Sequence, residues 1–228
     1  MIAGFVLARA NSKGLKDKNI AEFRGKSLLE IAINQSRACS MIDETFICTD
    51  SARYEEIAIS SGAKSFGLRP PHLSDDTSKT IDVLLHHINN GHLSGFTHIA
   101  LIQVTSPVRT IALINECIQK SLEIGQSSVT VSPIDEPHPM KALSIENQGL
   151  KPYIDGASVE TPRQLFKTAY CLTGAVYVAS ITNIKIRKSM FSVSTIPIIQ
   201  KSFINIDSQS VLAYLEFLDC RSEIEIDI

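Results

Sequence analysis

Short apolar runs alternate with amphipathic segments along the first 124 residues of the chain. The apolar runs are Ile2–Ala8, Thr45–Thr49 and Thr97–Gln103, and each is rich in residues that favour strands. Between and after them, apolar side chains recur every three or four residues, as in the stripe over Ile81–Ile88. This alternation is typical of βαβ units, and continuously apolar runs are typical of parallel strands buried on both faces. The pattern predicts an α/β fold, a Rossmann-like three-layer sandwich with a mostly parallel sheet.

Other segments complete this pattern less regularly. Further helices are predicted to begin at Ser27, to span Ser51–Ser61 and to carry the apolar stripe Ile111–Leu122. After Gln126, strands are predicted at Ser127–Ser132, Ala175–Ala179 and Thr195–Ile199, and a closing helix at about Ser208–Cys220. Asn183–Phe191 is ambiguous, and the alternating segment Glu223–Ile228 fits either an edge strand or a frayed tail.

Composition narrows the classes of function. The 228 residues carry 22 Lys and Arg against 24 Asp and Glu, so the net charge is −2, which argues against a protein that coats nucleic acid or an acidic membrane. No apolar run approaches the ~20 residues of a spanning helix. The five cysteines are odd in number and form no CxxC pair, which predicts reduced thiols in a cytoplasmic protein.

Charge is distributed unevenly along the chain. Residues 1–37 have a net charge of +4, and residues 206–228 have a net charge of −5. The basic side chains include Arg9, Lys13, Lys16 and Lys18, in a loop that follows the first strand and also contains Ser12 and Gly14. Cations and backbone N–H groups at the carboxyl end of a strand suit a phosphate, although a solvated basic loop is the alternative. The loop lacks both GxxxxGK[ST] and GxGxxG, so it is neither a Walker A loop nor a dinucleotide fingerprint.

Seven motifs in order resemble those of the cytidylyltransferases that activate sialic acid and related 3-deoxy sugar acids. They are Ala8-Arg9…Ser12-Lys13-Gly14…Lys18-Asn19, Cys48-Thr49-Asp50, Leu68-Arg69-Pro70…Asp76-Thr77, Leu101–Arg109, His138-Pro139-Met140-Lys141, Pro162-Arg163-Gln164 and Gly174-Ala175-Val176-Tyr177. The resemblance to this CMP-sialic acid synthetase family implies one nucleotidyltransferase domain over residues 1–228. It also implies a dimerisation and substrate arm at about residues 140–195. Members join CMP from CTP to the anomeric hydroxyl of an acylneuraminate and release diphosphate.

The resemblance also implies roles for individual residues. CTP is expected at Arg9, Asn11, Ser12, Lys13, Lys18, Asn19, Arg69 and Thr80, with Arg9, Ser12, Lys13 and Lys18 around the triphosphate, Asn19 and Thr80 near the ribose, and Arg69 at the cytosine. The sugar acid is expected at Gln103, Thr105, Ser106, Lys141, Arg163, Tyr177 and Phe191, with Met190 beside Phe191 in the acyl pocket. Lys141 and Arg163 would pair with the sugar carboxylate, and the arm that carries the arginine would reach into the neighbouring subunit. Ordinary core packing is the alternative for Met190 and Phe191, and a helix cap is the alternative for Thr105 or Ser106.

A divalent metal, Mg²⁺ or Mn²⁺, is implied near the last helix. Asp207 matches the second Asp of the family's Asp-x-Asp, and Asn205 replaces the first. We therefore expect Asp207 to be the principal ligand and a catalytic residue, with Arg9 and Lys13, and Asn205 to be a weak ligand. The alternative for Asp207 is the N-cap of the helix. Thr173 is a second departure, because the family usually has Asn before the glycine. The sugar could instead be legionaminic, pseudaminic or a related acid, and a non-catalytic nucleotide-binding homologue also stays open.

Overall fold

A seven-stranded central sheet organises the part of the chain that the computed structural model describes, which is residues 1–10, 14–75, 77–134 and 136–228. The strands in chain order are β1 (Ile2–Ala8), β2 (Glu22–Phe23), β3 (Lys26–Ser27), β4 (Glu44–Thr49), β5 (Lys64–Ser65), β6 (His98–Gln103), β7 (Ser128–Pro133), β8 (Leu143–Glu146), β9 (Gly149–Pro152), β10 (Tyr170–Ser180) and β11 (Ile196–Ile199). The central sheet has the order β11-β7-β10-β6-β1-β4-β5. Only β10 runs antiparallel to its neighbours in this sheet, so the predicted mostly parallel sheet is confirmed.

Six helices of the described residues cover the sheet, and side-chain caps mark where most of them begin. They are α1 (Leu28–Ala38), α2 (Ala52–Ser60), α3 (Thr80–Asn89), α4 (Ile111–Ile124), α5 (Ile181–Arg187) and α6 (Gln209–Cys220). Ser27 and Glu30 form a reciprocal capping box at the start of α1. Thr110 caps α4 and Ser208 caps α6. The alternative interpretations of Thr105, Ser106 and Asp207 as helix caps are therefore wrong, because neighbouring hydroxyls take that role.

Two separate apolar clusters make the fold a three-layer sandwich. In β1, Val6 and Ala8 belong to a cluster with α1, α2, α4 and α6, whereas Ala3 and Phe5 belong to a cluster with α3 and α5. Successive strand residues point to opposite faces of a sheet, so a continuously apolar strand buries both faces. The predicted Rossmann-like three-layer architecture is confirmed.

Two segments that the sequence left open have definite structures. The ambiguous stretch overlaps α5, which begins two residues earlier at Ile181 and whose Ile184 is fully buried. The C-terminal segment is neither an edge strand nor a frayed tail, because Ile226 is buried and the Asp227 carboxylate accepts a hydrogen bond of 2.6 Å from the Ile111 N–H at the start of α4. Both alternatives for this segment are therefore wrong.

The polar stretch after β7 contains an exposed hairpin that the fading periodicity did not reveal. Strands β8 and β9 pair with each other alone, with Ile145 opposite Leu150. Both side chains project into solvent, at 79% and 68% exposure. The hairpin belongs to the predicted arm at about residues 140–195. Across all six described helices, none combines the length and the apolar character needed to cross a membrane.

Candidate active site

The carboxyl ends of three parallel strands bring the sequence motifs to one edge of the sheet. Leu7 near the end of β1 lies in register with Cys48 of β4 on one side and with Gln103 of β6 on the other. The loops that leave these strands are therefore adjacent. In open α/β sheets, this edge is where ligands bind.

The basic loop after β1 is anchored at both ends. The Arg9 carbonyl accepts a hydrogen bond of 2.8 Å from the Asn19 side chain, and the Ala10 N–H donates to the Asp50 carboxylate at 2.9 Å. At the far end, the Tyr54 hydroxyl donates to the Asp17 carboxylate at 2.9 Å. Asn19 is 4% exposed, so the structure shows it as an anchor of the loop. Its predicted position near the ribose stays a prediction, as does the role of Lys18. Asn11, Ser12 and Lys13 lie outside the described residues.

A glycine brings the basic loop against the segment that carries the predicted metal ligands. A Cβ atom on Gly14 would lie 2.3 Å from the Asp207 carbonyl oxygen, so only glycine permits this approach. Asn205 and Asp207 are exposed, and they alternate with the buried residues Ile204 and Ile206. In extended backbone this alternation puts both polar side chains on the same side. The amide and carboxylate oxygens are hard ligands, and this donor set fits Mg²⁺.

One small cleft at this edge is lined by predicted nucleotide residues. It has a volume of about 230 Å³, and Arg9, Arg69 and Thr80 line it together with Asp75 and Ser78. Arg69 is buried, and its guanidinium donates to the carbonyl of Cys48 at 2.7 Å. The cation is thereby fixed between β4 and α3. The structure thus brings three predicted CTP contacts together.

The turn that supports this cleft was not predicted from the sequence. The Asp75 carboxylate accepts hydrogen bonds from Thr77 and Ser78, and these bonds lower its pKa. An Asp followed by hydroxyl residues just before a helix is a turn signal that could have identified this segment.

A second cleft adjoins the first and is lined by three of the seven predicted sugar residues, Gln103, Tyr177 and Phe191. Its volume is about 250 Å³. Residues that line it are Thr80, Ile81, Leu101, Gln103, Tyr177, Lys188, Ser189, Met190 and Phe191. Thr80 lines both clefts, so they are neighbours. Met190 is 8% exposed and belongs to the core, whereas Phe191 is 55% exposed. Met190 therefore packs in the core, as the alternative interpretation had it, whereas Phe191 presents an exposed apolar ring at the cleft.

A bulge in β10 shapes the second cleft. The register between β10 and β7 shifts between Leu172 and Tyr177, and Gly174 within this bulge has φ of 76°. A Cβ atom there would lie 2.6 Å from the Gln103 side-chain oxygen and 2.9 Å from the Ser106 hydroxyl. Ser106 is 1% exposed and donates to the Thr173 carbonyl at 3.1 Å. The structure thus shows Ser106 as part of the support of the bulge, and its sugar contact stays a prediction.

The two predicted carboxylate-binding cations lie on the arm. Lys141 and Arg163 are both exposed, and neither belongs to the lining of the two clefts in the described chain. Arg163 donates to the Glu136 carboxylate at 3.0 Å. At the base of the arm, the buried His138 ring stacks on Phe166, and its Nδ1 accepts from the Met140 N–H. A role for Lys141 and Arg163 in a neighbouring subunit stays a prediction.

The family model for cytidylyltransferases matches residues 3–216, nearly the whole chain. The chain belongs to the cytidylyltransferase family. Within it, the similar curated proteins are CMP-sugar acid synthases, so the chain is a nucleotidyltransferase of the group that includes the CMP-sialic acid synthetases.

Relatives in this family act on several sugar acids, as their names state. The chain is 31% identical to the CMP-N,N'-diacetyllegionaminic acid synthase of Legionella pneumophila, over 88% of this chain and 87% of that enzyme. It is 29% identical to the N-acylneuraminate cytidylyltransferase of Streptococcus agalactiae serotype V, over 82% of this chain but 45% of that protein. A pseudaminic acid cytidylyltransferase of Campylobacter jejuni is 25% identical over 75% of this chain and 74% of that enzyme.

Solved structures of cytidylyltransferases share the fold. A CMP:2-keto-3-deoxy-manno-octonic acid synthetase complexed with CTP has a TM-score of 0.71 at 12% identity, over 97% of this chain and 99% of that chain. The 4-diphosphocytidyl-2C-methyl-D-erythritol synthase of Anaerococcus prevotii has a TM-score of 0.65 at 14% identity, over 96% of both chains. At these identities the likeness concerns the fold.

Proposed function

We propose that the protein joins CMP from CTP to the anomeric hydroxyl of an acylneuraminate and releases diphosphate. The observation that carries this proposal is the pair of adjoining clefts that share Thr80. One cleft contains Arg9 and Arg69, which suit a nucleotide, and the other combines polar and apolar side chains, which suits an N-acylated sugar. A transfer between two substrates needs such neighbouring sites, because the reacting atoms must meet in line.

In the nucleotide half, the protein would place cationic side chains around CTP. Arg9 and Lys18 of the basic loop face a triphosphate, and Arg69 is fixed beside the base. The sugar hydroxyl oxygen forms a bond to the α-phosphorus, the bond from this phosphorus to the bridging oxygen breaks, and diphosphate leaves. The proton of the hydroxyl is released to water. Such a step depends on positioning and on neutralising the phosphate oxygens.

The metal completes this half of the site. Asp207 would hold Mg²⁺ or Mn²⁺ with Asn205 as a weaker oxygen ligand, next to Gly14 of the basic loop. When bound, the ion neutralises phosphate charge. Asp207 supplies a carboxylate where Asn205 supplies only a dipole, so Asp207 carries most of the binding.

In the sugar half, Gln103 and Thr105 would hydrogen-bond hydroxyl or amide groups, and Tyr177 and Phe191 would contact the acyl group. Burial raises the pKa of the Tyr177 phenol, so its hydroxyl stays a donor at neutral pH. The second candidate substrate is a legionaminic acid, since a legionaminic acid enzyme is similar over 88% of the chain.

We also propose that two copies of the chain pair through the arm. The exposed apolar side chains there include Ile145, Leu150, Tyr153 and Leu165, each at least 68% exposed. Solvent exposure of that much apolar surface is unfavourable in a monomer. Pairing would also carry Lys141 and Arg163 toward the partner's sugar cleft, where they would bind the carboxylate.

Diphosphate release from CTP and Mg²⁺ tests the proposal, measured with N-acetylneuraminate and with di-N-acylated legionaminic and pseudaminic acids. The proposal predicts the highest kcat/KM with an acylneuraminate. A higher kcat/KM with legionaminic acid would select the second candidate. CTP binding without release for any sugar acid would identify a non-catalytic homologue.

A further inference from the structure

The loop of residues 104–110 lies outside regular secondary structure, between β6, which ends at Gln103, and α4. It carries Thr105 and Ser106 and directly follows Gln103, and all three are predicted sugar contacts. Backbone carbonyls that are buried without a partner are costly, so a loop of this kind must find hydrogen-bond donors elsewhere. Here the donors come largely from side chains that are buried behind the loop.

Arg109 supplies the first of these donors. Its side chain is 1% exposed, and one guanidinium nitrogen donates to the carbonyl of Gln103 at 2.7 Å and to the carbonyl of Ser106. Burial lowers the pKa of this guanidinium to about 9, so the group is charged at pH 7. No carboxylate of the described chain forms an ion pair with it. Burying a cation without a carboxylate partner costs free energy. The hydrogen bonds from the guanidinium to the carbonyls of Gln103 and Ser106 offset part of that cost.

Two buried glutamines hold the rest of the loop. Gln35 of α1 donates to the carbonyls of Pro107 and Arg109, both at 3.3 Å. Gln200, just after β11, donates to the carbonyl of Val108. Both glutamines are at most 7% exposed. Arg109 of the loop itself and two glutamines from separate parts of the fold therefore donate to neighbouring backbone carbonyls of one loop.

The same hydrogen-bond network extends to the segment that contains Asp207 and to the C-terminal segment. The Thr105 carbonyl accepts from the Ile206 N–H at 2.7 Å, so the loop is joined to the residue before Asp207. Gln35 also donates to the carbonyl of Asp227 at 2.6 Å. The Asp227 carboxylate in turn binds the start of α4. Movement of the loop would therefore change the placement of the sugar contacts relative to Asp207.

We propose that Arg109, together with Gln35, Gln200 and Asp227, positions the sugar-binding loop without touching substrate. The proposal rests on the proposed function, because the loop is assigned there to the sugar acid. It assigns the sugar half of the site a support that does not include Arg9 and Arg69, which lie in the other cleft. A loss of this support should change sugar binding selectively.

The principal test is Arg109→Lys, which keeps the charge and removes the planar fork. We expect kcat/KM for the sugar acid to fall about 10- to 100-fold, since small misplacements of contact groups cost this much, and the CTP KM to stay within about twofold. Gln35→Met is the second variant, because it removes the amide donors at similar length and leaves the charge of Arg109. It should move the sugar KM in the same direction by a smaller factor.

The matched control is Glu223→Gln, an exposed acid-to-amide change in the same C-terminal segment, at a residue that pairs with Arg221. It should leave both KM values within about twofold. Hydrogen exchange provides a readout that needs no turnover. The amides of Arg109 and Ile206 should exchange faster in Arg109→Lys and Gln35→Met than in the wild type and the control.

The outcomes separate this proposal from the proposed function. If kcat falls only in step with the folded fraction while both KM values stay constant, the support acts on stability alone and the proposal is wrong. Equal shifts of both KM values would also overturn it. If the wild type transfers CMP to no sugar acid, the proposed function fails, and unchanged exchange of the loop amides would separately refute the positioning. If Arg109→Lys does not fold, Gln35→Met decides.

Discussion

Replacing Gly174 with alanine tests how the bulge in β10 shapes the sugar cleft. The backbone there has φ of 76°, which costs a residue with a Cβ about 1–2 kcal/mol. The new methyl would also lie 2.6 Å from the Gln103 side-chain oxygen and 2.9 Å from the Ser106 hydroxyl. The Ser106 hydroxyl is held by its bond to Thr173, so the glutamine side chain must move. Because the Gln103 amide is the far end of a flexible side chain, moving it costs little, and together with the Ser106 contact we expect at most about 1 kcal/mol.

Gly125→Ala is the matched control, because Gly125 has φ of 71° and a Cβ added there would have nothing within 4 Å. Both variants share the backbone strain, and only Gly174→Ala displaces Gln103. With about 2–4 °C of Tm per kcal/mol in a chain of this size, the control should lose about 2–8 °C and Gly174→Ala up to a further ~4 °C. Calorimetry measures the Tm values, and initial rates of diphosphate release measure the KM values. The sugar-acid KM should rise several-fold only in Gly174→Ala. Equal Tm losses together with an unchanged sugar KM would refute the reasoning.

Three further predictions concern the metal, pH and the arm. Asp207→Ala should abolish turnover and change the Tm by less than about 2 °C, since the side chain is exposed and Ser208 caps α6. Retained turnover in this variant would remove Asp207 from the metal site. Asn205→Asp should lower the Mg²⁺ concentration needed for the half-maximal rate. Burial, with nearby cationic groups, lowers the pKa of His87 from 6.5 to about 4, so the unfolded chain takes up the proton first as the pH falls. Urea melts from about pH 7 to about pH 5 should then show a decreasing free energy of unfolding, by up to about 1.4 kcal/mol per pH unit, and the same slope in His87→Leu would contradict this cause. Ile145→Ser combined with Leu150→Ser should convert dimers to monomers in analytical ultracentrifugation, and an unchanged dimer would place the interface elsewhere.

Local signals in the sequence determine much of the fold. The predicted strand Ile2–Ala8 has the same bounds as β1 because it is apolar on both faces, and Ser27 with Glu30 marks the start of α1 by a local hydrogen-bond pattern. The sequence left α5 open, because its isoleucines fit helical and strand spacing equally in so short a segment. The exposed hairpin β8–β9 was missed, since no buried face imposes a pattern on it.

The site depends on contacts between distant parts of the chain, which local patterns do not reveal. The approach of Gly14 to Asp207 is a packing contact between two distant segments of the chain. The resemblance to a family implied only that the basic loop and Asp207 serve the same site. From its residue type alone, Arg109 is expected at the surface, because arginine is mostly exposed in proteins. The structure shows that its side chain is buried against the loop. One cleft brings Arg9, Arg69 and Thr80 together, while the roles of the individual residues stay predictions.

The most direct test of the account is CMP transfer itself, measured as diphosphate release from CTP with and without N-acetylneuraminate at saturating Mg²⁺. Detection of the CMP-sugar product by mass spectrometry identifies the bond that forms. The account predicts release that depends on the sugar acid and yields one CMP-sugar for each diphosphate. Diphosphate release that is independent of every sugar acid tested, or CTP binding with no release, would contradict it.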